Sequence, residues 1–311
     1  MDKWVTASGV LSDPSGNVRA GRKNWIINGD FQISQRGAYS SATSITSSSV
    51  YYLDRFKAKH NNISGTTVRQ TNQTVNGKVT NTMMLTATAG SNGRVEAVQI
   101  IEDEVFNSQT VTISAWVISN SASARLIIHQ NGANIQTSSN AHTGGGAYEL
   151  LKATVTCASN AGQLHIYTGI QAAGTGNVAI ANGDYFKMAF LQLELGSVAT
   201  DFEHLSYSEQ LQLCQRYFEW VFKAGDAVGV SIGWPGGNYV PFMLRVEKRT
   251  TPTTTRLGSA SILTNGASHV YNTIGGGANG IRSGEVHLAG TTRGTGFVRS
   301  GTGSYSADAE L

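Results

Sequence analysis

The stretch "TVTISAWVIS", Thr110–Ser119, sets Val111, Ile113, Ala115 and Val117 at every second position, with Thr, Ser, Trp and Ile between them. Successive side chains leave a strand on opposite sides, so this spacing describes a strand with one buried face. The flanking runs repeat the habit: "RVEAVQI" (94–100) before it, then "ARLIIHQ" (124–130), "YELLKATVTC" (148–157), "QLHIYTGI" (163–170) and "DYFKMAFLQLEL" (184–195). Between them stand turn-forming clusters, "NSASA", "NAHTGGGA", "ASNAGQ" and "AAGTGN". No helix-length crossover separates the runs, which favours a β-sandwich or jelly roll over a parallel sheet.

The composition agrees. The chain has 311 residues, 40% of them hydrophobic and only 14% charged, enough for two ordinary cores, with 36 Gly and 4 Pro. The net charge of +3 is spread evenly: 14 basic and 13 acidic residues through Leu205, nine and seven after it. Without a basic arm, neither nucleic acid nor an anionic membrane is expected as a partner. Cys157 and Cys214 stand apart in different kinds of run and fit neither a disulfide framework nor a zinc spacing, so buried thiols are expected. No segment has signal-peptide or membrane-span character, which predicts assembly in a cytoplasm.

Four segments follow. Residues 1–23 are polar and Gly/Ser-dotted and read as an extended tail, with Trp4 and Val5 as its first bulky apolar pair. Residues 24–205 carry the period-2 runs. At 206–223 the period changes: Leu213, Cys214, Tyr217, Phe218 and Val221 fall at helical spacing, and Ser206 with Glu209 has the form of a capping box. Residues 224–311 return to short strands in a Gly-rich context, a second and smaller β domain in which Pro252 marks an edge or a link. The fold class expected is therefore all-β: a jelly-roll sandwich, a short helix and a second β domain.

Two phrases bracket the first domain. "INGDFQISQRG" (27–37) leads into it, with Asn28, Gly29 and Asp30 forming a turn. "LQLELGSVATDFEH" (191–204) leaves it, with Leu191, Leu193 and Leu195 inward and Gln192 and Glu194 outward. With "YLDRF" (52–56), "QLELG" (192–196), "CQRY" (214–217), "MLRVEKRTTPT" (243–253) and the terminal "DAEL" (308–311), the chain resembles the tail-fibre and receptor-binding proteins of tailed bacteriophages. The resemblance spans roughly residues 24–253 and the last four. It implies a carbohydrate-binding-module-like jelly roll, a helical joint and a β tip in a homotrimer, located on the virion.

Catalytic candidates are few. The carboxylates Glu102–Glu104 read as a solvated turn, since neighbours on a strand face opposite ways. The seven histidines show no metal-ligand spacing, and "IGGGANG" lacks the Lys-Ser/Thr of a phosphate loop. Asp30 with Glu194 or Asp184 offers oxygen ligands to a calcium ion, but a turn-capping role is preferred because no Asp-rich loop accompanies it. No catalytic residue, metal or cofactor is expected.

The functional expectation is a non-enzymatic fibre or spike that attaches the virion to a host-surface glycan. The alternatives are a head fibre or capsid-decoration protein and a polysaccharide-degrading tailspike. Trp4 and Val5 dock the tail to other virion proteins. Tyr217, Phe218 and Val221 line the trimer interface, beside Trp220. Trp234, Asn238 and Tyr239 in "GWPGGNY" form the receptor contact on a loop, aided by "TIGGGANG".

Overall fold

A computed structural model describes residues 11–12, 18–19, 22–45, 49–102, 106–223, 227–234, 237–257, 260–264, 267–271, 274–278, 283–288, 296–300 and 304–310. The chain forms two compact units, Met1–Gln210 and Leu211–Leu311.

In the first unit, β1 (Leu11–Ser12) and β2 (Val18–Arg19) make a small ribbon. The sandwich that follows is built from β3 (Thr43–Ile45), β4 (Val50–Leu53), β5 (Phe56–Asn61), β6 (Gly65–Val75), β7 (Lys78–Ala87), β8 (Ser91–Ile101) and β9 (Thr110–Ser119). It is completed by β10 (Ala124–Gln130), β11 (Ile135–Ser138), β12 (Glu149–Thr156), β13 (Leu164–Ile170), β14 (Val178–Ile180) and β15 (Tyr185–Leu195). One sheet runs β11-β10-β13-β8-β5-β4, with β14 added on β8, and the other runs β12-β9-β15-β7-β6-β3. Every pairing described is antiparallel, as the punctuation of the sequence predicts.

The core lies between the sheets. Val111, Ile113, Ala115 and Val117 of β9 are fully buried, with Met188, Leu191 and Leu193 of β15 in the same cluster. Val95 and Ala97 of β8, Ile166 of β13 and Leu126 and Ile128 of β10 belong to it too. Trp25 and Phe106 join it edge to face at 4.9 Å. Cys157 is buried against this core, and burial pushes its thiol up to about 11. Two hairpins show how local chemistry sets register. Between β6 and β7, Asn76 (φ 46°) and Gly77 (φ 74°) both take left-handed conformations, which a two-residue turn needs to match the twist of its strands. Between β4 and β5 the turn is Asp54–Arg55, with Arg55 at φ 70° and buried, donating Nη2 to the Ile100 carbonyl at 2.7 Å.

The outward positions of β15 depart from expectation. Gln192 and Glu194 are 1% and 4% exposed, because the segment after β15 folds back over them. Glu194 accepts the Thr200 N–H (2.8 Å) and hydroxyl (2.7 Å), and Gln192 accepts the Glu203 N–H (2.9 Å). Alternation assigned the correct side of the strand, but it carries no information about what later covers that side.

The helix α1 spans Tyr207–Gln215, shorter than the 206–223 expected. Its start is as read: Glu209 N–H bonds the Ser206 hydroxyl while the Glu209 carboxylate accepts the Ser206 N–H at 2.9 Å. After it, Phe218–Phe222 is a strand, β16, paired with β25 (Ser304–Asp308), which also pairs with β19 (Thr253–Leu257). "FEWVF" fits both periods, and its aromatic, β-branched content suits a strand once a partner is present. The edge position of β19, just after Pro252, matches the reading of that segment. A second sheet of this unit contains β17 (Ala227–Trp234), β18 (Gly237–Met243), β20 (Ala260–Thr264), β21 (Ala267–Tyr271), β22 (Ile274–Ala278), β23 (Ser283–Leu288) and β24 (Gly296–Ser300).

Candidate functional site

The leading phrase is a buried polar knot. Asn28 sits at φ 63°, a left-handed conformation that Asn tolerates, and its amide ties three backbone groups. Oδ1 accepts the Ile33 N–H at 2.9 Å, and Nδ2 donates to the carbonyls of Ile33 (2.9 Å) and Asp54 (3.1 Å). Asp54 accepts Gln35 N–H and Nε2, both at 2.6 Å, while Arg69 donates to the Phe31 and Gln32 carbonyls at 2.6 and 2.9 Å. Gln99 exchanges two 2.8 Å bonds with the backbone of Ile27. The motif residues of "INGDFQISQRG" and "YLDRF" thus meet in space, and the Asn28 amide is consumed in satisfying buried backbone.

Asp30 is 2% exposed, takes a hydrogen bond from the Gln32 amide, and has Oδ1 buried with no partner among the described residues. Burial raises its carboxyl above the usual range, against the opposing pull of the Gln32 bond. Glu194 is engaged by Thr200, and Asp184 accepts the Ala181 N–H at 2.9 Å. Among the described residues no group of three or more His, Cys, Asp or Glu side chains is placed to hold a metal ion.

A comparable knot occurs in the second unit. Lys248, buried, donates Nζ to the Gln215 carbonyl and lies 3.5 Å from the buried Glu219 carboxylate, which also accepts the Arg245 N–H at 3.1 Å. Burial brings the Lys248 amine down to about 8, with Glu219 opposing. Arg249 bonds the Arg216 carbonyl through its N–H and the Ala309 carbonyl through Nε. The Cys-Gln-Arg-Tyr, "RVEKR" and C-terminal phrases are therefore joined within one fold.

An open constellation lies on the outer face of the β11-to-β4 sheet. Leu164, Ile166 and Ile170 of β13 face the core, so His165 and Tyr167 leave on the other side. Pairing registers align three rows there: Ile100, His165, His129 and Gln136; Lys57, Val98, Tyr167, Ile127 and Ser138; Lys59, Glu96, Gly169 and Arg125. His129 meets His165 edge to face at 5.7 Å, and each ring lies 6.2–6.3 Å from Tyr167. The Lys59 ammonium stands 5.5 Å over the Tyr167 ring and 3.2 Å from Glu96, whose same oxygen lies 3.2 Å from Arg94 Nε. Lys57 and Arg36 each lie 5.1 Å over the Tyr51 ring.

Burial keeps the His165 and Tyr167 rings neutral. Burial lowers the His165 imidazole to about 4, helped by His129, Lys57 and Lys59. Burial and the Glu96 carboxylate raise the Tyr167 phenol, opposed by Arg94. Half-buried rings beside ammonium and guanidinium groups that the buried Glu96 carboxylate holds in place offer both stacking surface and hydrogen bonds to a polar ligand. No motif signals this face, because its residues come from six strands, β4, β5, β8, β10, β11 and β13. The available clue was that His129, His165 and Tyr167 occupy the non-core phase of period-2 runs.

The other expected sites fall as follows. Trp4 and Val5 lie outside the described residues. Tyr217 and Phe218 are 8% and 4% exposed, but Phe218 and Val221 belong to β16, so these residues share no helical face. Trp234 pairs with Gly237, Asn238 with Gly233 and Tyr239 with Ile232, so "GWPGGNY" is mostly the β17–β18 hairpin and not a loop. "TIGGGANG" likewise contains β22, paired with β23. Glycine-rich text reads as loop, yet a glycine strand pairs through its backbone like any other. Pro235, Gly236, Asp103 and Glu104 lie outside the described residues.

No protein-family model and no curated protein matches the sequence. Among solved structures, the chain is similar to the enzymatically active domain of tailspike protein 4 of bacteriophage CBA120. The identity is 12% and the TM-score 0.36, over 56% of this chain and 21% of that one, so this chain spans about a fifth of its length. It is also similar to TmCBM61 solved with β-1,4-galactotriose, at 12% identity, TM-score 0.34, 56% of this chain and 100% of that one. A third is the CBM22-1 xylan-binding domain of Paenibacillus barcinonensis Xyn10C, at 13% identity, TM-score 0.31, 52% and 99%. Likenesses at this level carry no argument about ligand or activity.

Proposed function

We propose that this chain is a non-catalytic attachment protein of a tailed-phage particle, and that its sandwich holds a host-surface saccharide on the Tyr167 face. The observation that carries the saccharide reading is the cluster of His129, His165 and Tyr167 rings beside the Lys59–Glu96–Arg94 group. A sugar presents C–H faces to rings and hydroxyls to fixed polar groups, and this surface supplies both without a deep cavity. The phage assignment is supported by the ordered motifs that the sequence shares with tail-fibre proteins. With it go a homotrimer, a tail docked to the virion through Trp4 and Val5, and a second host contact around Trp234, Asn238 and Tyr239.

The test is titration calorimetry of the purified chain with fragments of host-surface polysaccharide. Tyr167→Ala is expected to weaken binding about tenfold, the scale of one lost stacking contact, with an unchanged melting midpoint. Unchanged affinity would remove the sandwich face from the proposal. Adsorption of particles carrying Trp234→Ala and Tyr239→Ala tests the hairpin separately, and light scattering of the wild-type chain tests the trimer.

A further inference from the structure

A pocket of about 130 Å³ opens on the other sheet, away from the Tyr167 face, against β9, β12 and β15. Trp116, Phe190 and Phe202 form its apolar wall, and Asn76, Lys78 and Asp201 bring an amide, an ammonium and a carboxylate to its rim.

The floor of this pocket is built at the expense of the strand. Pairing of β15 with β9 shifts register between Ala189 and Gln192, and Phe190 takes φ 55°, an uncommon conformation for a bulky residue. A bulge re-aims a side chain, and here Leu191 and Leu193 stay in the main core while Phe190 joins a separate outer cluster with Trp116 and Phe202. Phe190 and Phe202 rings meet at 5.1 Å. The leading phrase and Asn24 just before it hold the bulge in place, since Leu191 N–H donates to the Gly29 carbonyl at 2.9 Å and Asn24 Nδ2 to the Leu191 carbonyl at 3.2 Å. Strain of this kind persists only where the surroundings fix it, and it concentrates at binding sites.

We propose that this pocket is a second saccharide subsite, taking one neutral pyranose unit with its C–H face on Trp116 and its hydroxyls on Asn76, Lys78 and Asp201. The chemistry of the lining selects that occupant, an aromatic wall beside polar groups of both signs. An apolar side chain of similar size would leave the rim groups of both signs without replacement for their water, whereas ring hydroxyls donate and accept. The sandwich then carries sugar sites on both of its sheets, so that one copy bridges two glycan strands. The inference shares with the proposed function only the class of ligand and stands on different residues.

The experiment is a titration of the ¹⁵N-labelled chain with a panel of methyl pyranosides, reading the Trp116 indole N–H resonance. At least one glycoside is expected to shift it saturably. The Asn76→Gly, Asp201→Ala double variant, which keeps the left-handed turn and touches only exposed side chains, is expected to weaken that binding about fivefold or more. Tyr167→Ala is expected to leave the Trp116 response intact. Three outcomes overturn the proposal: no saturable shift from any pyranoside, an equal shift from cyclohexanol, or loss of the response in Tyr167→Ala. Failure of the Tyr167 face as a sugar site would leave this readout unaffected.

Discussion

Gly29 approaches Leu191 so closely that a Cβ on Gly29 would stand 2.1 Å from the Leu191 carbonyl oxygen, while the Leu191 N–H bonds the Gly29 carbonyl at 2.9 Å. Neither backbone can retreat without releasing the bulge of β15. Gly29→Ala is therefore expected to destabilise the sandwich by about 2–3 kcal/mol, seen as a lower urea midpoint at unchanged slope. A variant as stable as the wild type would show that the contact is not tight.

Asp30 tests a different balance. Its carboxyl is raised by burial, so the folded chain holds that proton to higher pH than the unfolded chain, and stability falls as pH rises from the ordinary carboxylate range through the raised value. At neutral pH the buried charge is a net cost. Asp30→Asn keeps an acceptor for Gln32 and is expected to gain about 1 kcal/mol at pH 7, with the gain shrinking on acidification. If the residue instead served a calcium ion, the same variant would lose stability and calcium would stabilise the wild type; thermal melts with and without calcium decide.

His165 predicts a pH dependence of the opposite direction. Its folded value is about 4 against an ordinary 6.5 for a solvated imidazole, so between those limits the unfolded chain binds the extra proton. Stability is flat above pH 6.5 and falls as pH drops toward 4, by an amount of order 1–3 kcal/mol. Burial holds the ring neutral, helped by His129, Lys57 and Lys59, with Glu96 two rows away. His165→Gln should flatten this part of the melting profile, and an unchanged slope would assign it to other groups.

Lys248 and Glu219 form a buried pair, 3.5 Å apart. Removing one partner strands the other, so Lys248→Met is expected to cost about 3–5 kcal/mol, whereas Lys248→Met with Glu219→Leu should recover much of the loss. Guanidinium titrations of these two variants and of Glu219→Leu alone measure the coupling. Equal losses in the single and double variants would mean that the attraction contributes little.

The sequence made the β9 strand, its buried phase and the Ser206–Glu209 cap legible, because each depends on residues a few positions apart. The fate of "FEWVF" was not legible, since only the partner strand Ser304–Asp308 decides between two periods that both fit. This changes the meaning of one substitution: Phe218→Asp buries a charge inside its own unit and would unfold it whether or not a trimer exists. The burial of Gln192 and Glu194 and the His129–His165–Tyr167 face escaped for the same reason. Covering segments and cross-strand registers arise from contacts between residues far apart in the chain.

The sandwich is closed at its neck. Trp25 N–H bonds the Leu193 carbonyl at 2.8 Å, Leu193 N–H bonds Asn24 Oδ1 at 3.1 Å, and the Lys23 and Asn24 amides both bond the Glu203 carboxylate. Tension that arrives at Lys23 and departs at Glu203 crosses those few bonds directly. The strands between them hang as a loop off the line of force, unstretched until the clasp yields, so a pull along the chain is carried by the neck and not by the faces that would hold a ligand.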